Sequence, residues 1–350
     1  MRRLLFCAAA ALVLGAGGCA SKPAPAPAPP PPAAPPAAEL ARSGLAVVKQ
    51  ADITLRDSSR NREVPVRVTY PEGPGPDPVI VFSPSAGASA RSVDPLARFW
   101  ATRGFAVLVP GRTDAAGASP GDPDGARESS ADASPDPRVW EASVRDVAFV
   151  AAATGAIEAR VDGLKLDETR LGVGGQSFGA FTAMLLAGAT VDVSKKERAK
   201  SFADPFPKAF LLISPPGRGQ QGLTEKSWSA VDRPLMVVTG TRDPGSRNQD
   251  ASWRLDPYQL SAAGDKFAVF IEGASHLSLT GLSAEPGAAL PKAGRKTTTA
   301  EAEAAIFRDV KAATLAFWEA FLKGDAGARA FLAGDGLAQE SENRAQLLRR

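Results

Sequence analysis

The sequence predicts an α/β fold, with a mostly parallel sheet of about eight strands, helices on both faces and no large cap domain. Three observations support this prediction. Short apolar runs typical of buried strands alternate with segments of helical periodicity, as in chains whose parallel strands are joined by crossover helices. Hydrophobic residues make up 44% of the 350-residue chain, enough to fill a sizeable core. A glycine-rich corner at residues 171–186 joins a strand-like run to a helix rich in small residues.

The predicted elements alternate along the chain after an initial hairpin. Residues 51–56 and 64–70 alternate apolar and polar side chains around a polar turn, which predicts two half-buried strands. Continuous apolar runs predict further strands at residues 79–82, 105–109, 171–174, 209–213, 235–239 and 267–271. Helices are predicted at residues 93–103, at 138–153, after Ser177, near 257–263 and at 300–322. Residues 112–137 lack periodicity and are expected to form a long surface loop.

Residues 1–18 have the features of a lipoprotein-type signal peptide. Two arginines precede the apolar run 4–14, which is too short to span a bilayer permanently, and small residues lead to Cys19. The sequence Ala16-Gly17-Gly18-Cys19 resembles the lipobox of bacterial lipoproteins, in which the cysteine is acylated and becomes the first mature residue. Leucine is the preferred residue where Ala16 stands. Because Cys7 lies inside the signal, cleavage leaves Cys19 without a disulfide partner, which favours a lipid anchor over an ordinary signal peptide with an incidental cysteine.

Composition and charge suggest the remaining organisation. Residues 19–45 comprise Cys19 and a Pro/Ala-rich linker, followed by a folded domain at 46–323 and a C-terminal tail at 324–350. Removing the two arginines of the signal reduces the 41 basic residues to 39, against 38 acidic ones, so charge gives no reason to expect nucleic acid as a partner. We expect the cell envelope as the location. In a Gram-negative host, Ala20 favours the outer membrane, facing the periplasm or the exterior. The oligomeric state stays open.

The glycine-rich corner contains the pattern G-x-S-x-G, formed by Gly175, Ser177 and Gly179. In a nucleophile elbow, such a serine lies in a strained turn between a strand and a helix, and the flanking glycines remove Cβ atoms that would clash. The alternative is a glycine turn with a structural role only. The pattern needs its context, because residues 117–121 repeat it around Ser119 in a loop-like segment with no preceding strand.

A serine hydroxyl needs a base within hydrogen-bond reach, and the chain contains one histidine, His276. This residue follows the predicted strand 267–271, so it is expected at the same edge of the sheet as Ser177. A buried structural histidine or a surface histidine is the alternative. We favour a catalytic base, because no other residue of the chain titrates in a suitable range.

The base in turn needs a carboxylate, and Asp243 follows the predicted strand 235–239. The order serine, aspartate, histidine along the chain is the one expected of this architecture. Asp250 and Asp256 are reserve candidates for the acid. A surface ion pair between Arg242 and Asp243 is the structural alternative.

An oxyanion hole is expected from two backbone N–H groups. One belongs to Phe178, directly after the nucleophile, and the other to the loop that follows strand 79–82. That loop has the sequence SPSAGAS, in which Ala86 is the preferred donor and Ser85 the neighbour that would replace it.

The chain resembles the α/β-hydrolase superfamily over about residues 51–322. Four segments are similar to bacterial predicted dienelactone hydrolases and platelet-activating-factor acetylhydrolase-like proteins: VWEASVRDVAFV at 139–150, GGQSFGAFTA at 174–183, LISPPG at 212–217 and the EGASH loop. The resemblance implies a serine carboxylesterase. Two features depart from it. Dienelactone hydrolases use a cysteine nucleophile, and Ser83-Pro84 stands where many relatives have a histidine before glycine, which leaves Ser85 and Ala86 both open.

The expected function is therefore hydrolysis of short or medium carboxylic esters, without a cofactor or metal. Only about twenty residues separate strands 209–213 and 235–239, where larger hydrolases insert a cap domain, so an accessible site is expected. The alternatives are acyl transfer or peptide hydrolysis on the same triad, and a non-catalytic lipoprotein of hydrolase fold that acts by binding.

Overall fold

The computed structural model describes residues 33–44, 46–111, 136–285, 292–293 and 296–350. Its strands are β1 (Val48–Asp57), β2 (Arg62–Pro71), β3 (Asp77–Ser83), β4 (Ala106–Pro110), β5 (Leu166–Gln176), β6 (Ala209–Ile213), β7 (Leu235–Arg242), β8 (Lys266–Ser275), β9 (Lys292–Ala293), β10 (Lys296–Thr297) and β11 (Ala345–Arg349). Its α-helices are α1 (Ala37–Leu40), α2 (Asp94–Thr102), α3 (Pro137–Ala152), α4 (Thr154–Glu158), α5 (Phe178–Ala187), α6 (Asp256–Leu260), α7 (Ala300–Trp318), α8 (Ala326–Ala333) and α9 (Gly336–Glu340). Short 3-10 helices lie at Ala90–Val93, Ala251–Leu255, Ser278–Thr280 and Leu282–Ala284, and a π-helical turn at Glu319–Lys323 follows α7.

Nine of these strands form one mixed sheet in the order β1-β2-β4-β3-β5-β6-β7-β8-β11. The central strands from β4 to β8 are parallel to one another. At the two edges, β1, β2 and β11 pair with their neighbours in antiparallel fashion. This arrangement confirms the predicted α/β architecture with its mostly parallel sheet, and it is compatible with an α/β-hydrolase fold.

The sheet separates two hydrophobic clusters, because successive side chains of a strand point to opposite faces. In β3, Ile80 and Phe82 belong to the cluster formed with α1, α2, α7 and α8. Val79 and Val81 belong to the cluster formed with α3 and α5. All four side chains are buried. The central strands are therefore covered on both faces, as their continuous apolar runs predicted.

The connection between β6 and β7 bears on access to the site. Residues 214–234 form turns and bends, and no helix or strand is inserted there. In the described part of the chain, the fold therefore carries no large cap domain, in agreement with the prediction.

The folded domain extends beyond its predicted boundaries at both ends. The expected tail at 324–350 instead forms α8, α9 and β11, and β11 pairs with β8 at the sheet edge. Phe331 and Leu347 of this segment are buried in the same cluster as α7. At the other end, α1 lies inside the expected linker, and the Ala37 N–H donates a hydrogen bond of 2.6 Å to Glu340. Such short segments bury their few apolar side chains only on a surface that the rest of the fold supplies, so composition alone does not reveal them.

Some predictions concern residues outside the described part. These are the signal peptide at 1–18, the lipidation site Cys19, the linker as far as residue 32 and the loop residues 112–135. Among the described residues, no helix is both long and apolar enough to cross a membrane. The short elements α4, β9 and β10 were not predicted, because segments of this length carry too little periodicity.

Candidate active site

The three candidate catalytic residues lie at the carboxyl edge of the parallel sheet. β5 ends one residue before Ser177, β7 one residue before Asp243 and β8 one residue before His276. Since parallel strands end at the same edge, the topology brings the three residues to one side of the molecule.

Ser177 occupies the turn between β5 and α5 with a strained backbone. Its φ is 54° and its ψ is −115°, a combination that residues with a side chain rarely adopt. Its N–H donates a hydrogen bond of 2.9 Å to the carbonyl of Ile213 on the neighbouring strand β6. Backbone strain of this kind costs about 1–3 kcal/mol and persists only where the surrounding structure enforces it. Such strained residues are concentrated at functional sites.

The two glycines of the motif are required by close backbone contacts. A Cβ at Gly175 would lie 2.3 Å from the carbonyl carbon and oxygen of Gly179. A Cβ at Gly179 would lie 1.9 Å from the carbonyl oxygen of Ser83 and 2.6 Å from that of Pro84. These contacts also show that the loop after β3 packs directly on the first turn of α5.

Asp243 and His276 form a hydrogen-bonded pair. Asp243 Oδ1 lies 2.9 Å from His276 Nδ1. The carboxylate is fully buried, whereas the imidazole side chain is 21% exposed. An ionised carboxylate can only accept, so in the neutral imidazole Nδ1 carries the proton and Nε2 is the acceptor. This is the tautomer that a general base for a serine hydroxyl requires.

The Asp243 carboxylate is held in its ionised form. Burial by itself would raise its pKa, but the charge of Arg254 and the contacts with His276 and Ser214 outweigh burial and bring the pKa below the ordinary value of 3.8. Arg254 Nε lies 3.0 Å from Oδ1. The hydroxyls of Ser214 and Thr239 donate to Oδ2 at 2.6 and 2.8 Å.

The reserve candidates for the acid have other partners. Asp250 accepts a hydrogen bond of 2.8 Å from the Ser252 N–H and caps the 3-10 helix that begins at Ala251. Asp256 forms an ion pair of 2.7 Å with Arg218. Of the three candidate aspartates, the structure brings Asp243 to the histidine.

A side chain inside the elbow motif reaches the histidine loop. The Gln176 amide nitrogen donates a hydrogen bond of 2.9 Å to the carbonyl of His276. Gln176 is buried, and its contact spans β6 and β7, which lie between β5 and β8 in the sheet. The residue next to Ser177 therefore fixes the backbone of His276.

Sequence reasoning missed Gln176, Ser214, Thr239 and Arg254. Gln176 ends β5, Ser214 directly follows β6 and Thr239 ends the predicted strand 235–239, so their place near the carboxyl edge of the sheet was a usable signal. Arg254 lies in a short 3-10 helix eleven positions after Asp243, and no sequence pattern marks it.

The predicted oxyanion residues belong to two elements in contact. Phe178 is the first residue of α5 and is buried. Ser85 and Ala86 are partly buried in the loop after β3, where the Ala88 N–H donates to the Ser85 carbonyl at 3.1 Å. The loop is brought to the elbow through the contacts of Gly179, and Ser85 and Ala86 both remain candidates for the second donor.

Aromatic rings line the interior behind the elbow. The ring centroids of Phe178 and Phe181 are 5.9 Å apart, and those of Phe181 and Trp140 are 5.5 Å apart. Ala86 packs against the same hydrophobic cluster. The elbow therefore rests on an apolar layer formed by α3 and α5, which fixes its first turn.

Within the described residues, no group of three or more His, Cys, Asp or Glu side chains is placed to hold a metal ion. No family model matches the chain, and no curated protein matches it significantly. The function is therefore inferred from the residues of the site and their geometry.

Proposed function

We propose that the protein is a serine hydrolase that cleaves carboxylic esters through a Ser-His-Asp triad. One observation carries the proposal: a fully buried Asp243 lies 2.9 Å from Nδ1 of His276, at the sheet edge where Ser177 occupies a strained turn. A structural glycine turn needs neither a serine at positive φ nor a buried acid oriented on a nearby histidine. The resemblance to dienelactone hydrolase-like members of the α/β-hydrolase superfamily agrees with this proposal.

The reaction would proceed in two halves. Ser177 Oγ forms a bond to the ester carbonyl carbon while its proton passes to Nε2 of His276. The oxyanion is stabilised by the N–H of Phe178 and that of Ala86 or Ser85. The ester C–O bond then breaks, and the imidazolium returns the proton to the leaving alcohol. Water repeats these steps on the acyl-enzyme and releases the acid, with Asp243 stabilising the imidazolium each time.

The substrate class follows from the nucleophile and from the surroundings of the site. A serine in place of cysteine gives no reason to expect dienelactones. The absence of an inserted domain between β6 and β7 favours small or medium esters that reach the serine from solvent. The residues of the proposed mechanism need no cofactor, since they supply the nucleophile, the base and the oxyanion donors.

Hydrolysis of a p-nitrophenyl ester series of increasing acyl length tests the proposal. Ser177→Ala and His276→Ala are each expected to lower kcat/KM by several orders of magnitude. Ser119→Ala is the matched control, because Ser119 has the same G-x-S-x-G pattern without an apolar run before it in the sequence, and the activity of this variant should equal that of the wild type. Equal rates for the wild type and the Ser177 variant would refute the proposal.

A fluorophosphonate probe separates the alternative functions. A hydrolase, a transferase and a peptidase would all become labelled at Ser177, and the partition of the acyl-enzyme between water and an added alcohol or amine distinguishes them. A folded protein that is not labelled would favour a non-catalytic binding role. Loss of the label in Ser177→Ala but not in Ser119→Ala would assign the modified residue.

We also propose that the protein is anchored in the cell envelope through a lipid on Cys19. The sequence offers a matched pair for the test, because Cys7 and Cys19 are the two cysteines of the chain. Incorporation of labelled palmitate should be lost in Cys19→Ser and retained in Cys7→Ser. Retention of the label in Cys19→Ser would contradict the anchor.

A further inference from the structure

We propose that Arg254 is a positioning residue of the triad, which balances the charge of Asp243 and so sets the pH range in which His276 acts as a base. This inference rests on the proposed function. Arg254 is assigned no contact with the substrate, and it acts on His276 through Asp243, whose carboxylate and backbone it contacts.

Arg254 is enclosed by the loops that follow β6 and β7. Its side chain is 2% exposed. The guanidinium donates to the carbonyls of Asp243 and Pro244 at 2.8 and 2.9 Å, and to that of Ser214 at 2.9 Å. Its planar set of donors can serve several fixed acceptors at once, which the single ammonium of lysine cannot do. The arginine therefore fixes the backbone on both sides of the acid.

The same guanidinium is the cation nearest to the triad acid. Arg254 Nε lies 3.0 Å from Asp243 Oδ1, the oxygen that also lies 2.9 Å from His276 Nδ1. One carboxylate oxygen thus faces two groups, one always charged and one charged only when protonated. Because like charges disfavour each other, the fixed charge of Arg254 opposes protonation of the imidazole.

Other charges around this pair are exposed, paired or hydrogen-bonded to other groups. The charged side chains near the ends of β7 and β8, besides Arg254, are Arg242, Arg247, Asp250, Asp256 with its partner Arg218, Glu272, and Glu303 of α7. Arg242, Arg247, Asp250 and Glu272 are exposed, so solvent screens them. Glu303 is buried and accepts a hydrogen bond of 2.6 Å from the Ser283 hydroxyl. Arg218 and Asp256 form an ion pair with each other. The buried ion pair at this position therefore consists of the Asp243 carboxylate and the Arg254 guanidinium.

Without that balance, the carboxylate would be a buried anion whose one available counter-charge is the imidazolium. The imidazole would then take up its proton at higher pH, and a larger share of His276 would be unable to accept the serine proton near neutrality. With Arg254 in place, Asp243 orients the imidazole and still leaves it neutral. Because Asp243 is paired with a buried cation, the imidazole that it orients stays available as a proton acceptor to a lower pH than it would without Arg254.

The chain has one histidine, so the imidazole can be followed directly by NMR of protein labelled at histidine. In Arg254→Gln, the midpoint of the imidazole titration should rise by about one pH unit or more. In Arg254→Lys, which keeps the charge, it should stay within about 0.3 pH units of the wild type. Arg218→Gln is the matched control, because Arg218 also links these two loops but pairs with Asp256, and its midpoint should not move.

A second comparison covers the case in which Arg254→Gln does not fold. The double variant Asp243→Asn/Arg254→Gln leaves no buried charge unpaired, so it is expected to fold. Its titration midpoint should lie about one pH unit above that of Asp243→Asn, which retains the arginine charge. Equal midpoints in these two proteins, or equal shifts in Arg254→Gln and Arg218→Gln, would overturn the inference.

Kinetics provide a separate readout. The acidic limb of kcat/KM against pH should move to higher pH in Arg254→Gln in parallel with the NMR midpoint, while KM stays close to the wild-type value. If the wild type neither hydrolyses esters nor reacts with the fluorophosphonate, the proposed function fails. The NMR titration still decides the role of Arg254 in that case, because it requires no turnover.

Discussion

The two sides of the candidate site are built in different ways. The elbow around Ser177 is made of backbone, with glycines at the positions where a Cβ would overlap a neighbouring carbonyl. The acid side around Asp243 is made of side chains, namely two hydroxyls and a buried guanidinium from separate elements. The elbow therefore depends on the lack of Cβ atoms at its glycines, whereas the acid side depends on a buried charge and on hydrogen-bond donors.

This difference predicts how each side fails. An added methyl group should damage the elbow, since the backbone around it has no room to move. On the acid side, an isosteric replacement that only removes a charge or a donor should be enough, because a buried group left without its partner is costly. Four substitutions test the contrast in order of decreasing effect.

The largest effect is expected for Asp243→Asn, which keeps the shape of the side chain. An amide would favour the wrong imidazole tautomer, so kcat should fall by about 10⁴-fold, the size of effect known for the corresponding change in a serine protease. Steady-state kinetics with a p-nitrophenyl ester would measure it. Asp250→Asn is the matched control and should retain the wild-type kcat, and a loss of less than tenfold in Asp243→Asn would contradict the acid assignment.

The same substitution has a consequence for acid stability. The pKa of Asp243 in the folded protein lies below its ordinary value of 3.8, so the stability this group provides is present above that value. It is lost as the pH falls through the pKa of the folded state. Unfolding by urea at a series of pH values should therefore show a smaller decline at low pH in Asp243→Asn than in the wild type.

Gly179→Ala tests the elbow side. The new methyl would overlap the carbonyls of Ser83 and Pro84, which carry the oxyanion loop, so we expect a loss of about 100-fold in kcat and about 1–3 kcal/mol of stability. Gly155→Ala in α4 is the control, because nothing lies within 4 Å of its Cβ position. That control should keep full activity and match or exceed the wild-type melting temperature. Unchanged kinetics in Gly179→Ala would show that the two loops can separate.

Thr239→Val removes one donor from the carboxylate and keeps the shape of the side chain. The loss of a buried hydrogen bond to a charged group should lower kcat/KM by about tenfold. Thr314→Val removes a buried hydroxyl of α7 that donates to the Val310 carbonyl, away from the site. It should lower the melting temperature without changing kcat/KM. Equal effects of both substitutions on kcat/KM would mean that Thr239 acts through stability alone.

The smallest effect is expected for Gln176→Leu, where the acceptor is the neutral carbonyl of His276. A net contribution of about 0.5–1.5 kcal/mol corresponds to a loss of about twofold to 13-fold in kcat, with KM unchanged. Stopped-flow release of p-nitrophenol would measure it. A loss of more than 100-fold would mean that Gln176 takes part in the chemistry and not only in placing the loop.

The contrast also explains what could be predicted from sequence. The elbow is local, so a short motif between a strand and a helix was sufficient to select Ser177 as a candidate nucleophile, and the alternation of elements was sufficient for the α/β fold. Asp243 and His276 were selected as candidates because each follows a predicted strand, and in the structure these parallel strands end at the same edge of the sheet. Arg254 reaches the acid from a 3-10 helix through tertiary structure only, and no pattern marks that contact.

The ends of the domain show the same limit. The predictions placed α1 in a linker and β11 in a tail, because each segment is short and has few apolar residues. Both belong to the core in the structure, α1 through its helix contacts and β11 through pairing with β8. Such segments are held by residues distant in sequence, and a prediction from local sequence does not include those contacts.

The hydrogen bond between Ala37 and Glu340 joins residues 303 positions apart, and it has a consequence for the order of folding. During synthesis, α1 is made before the other described helices, and its contacts with α7 and α9 form only after those helices follow it. The face of the sheet under α7 is therefore completed only when the chain is almost fully made. The opposite face, under α3 and α5, draws nearly all its residues from before position 270 and can assemble earlier. His276 and β11, the strand that pairs with β8, arrive in the late part, so the nascent chain carries Ser177 long before it carries the candidate base.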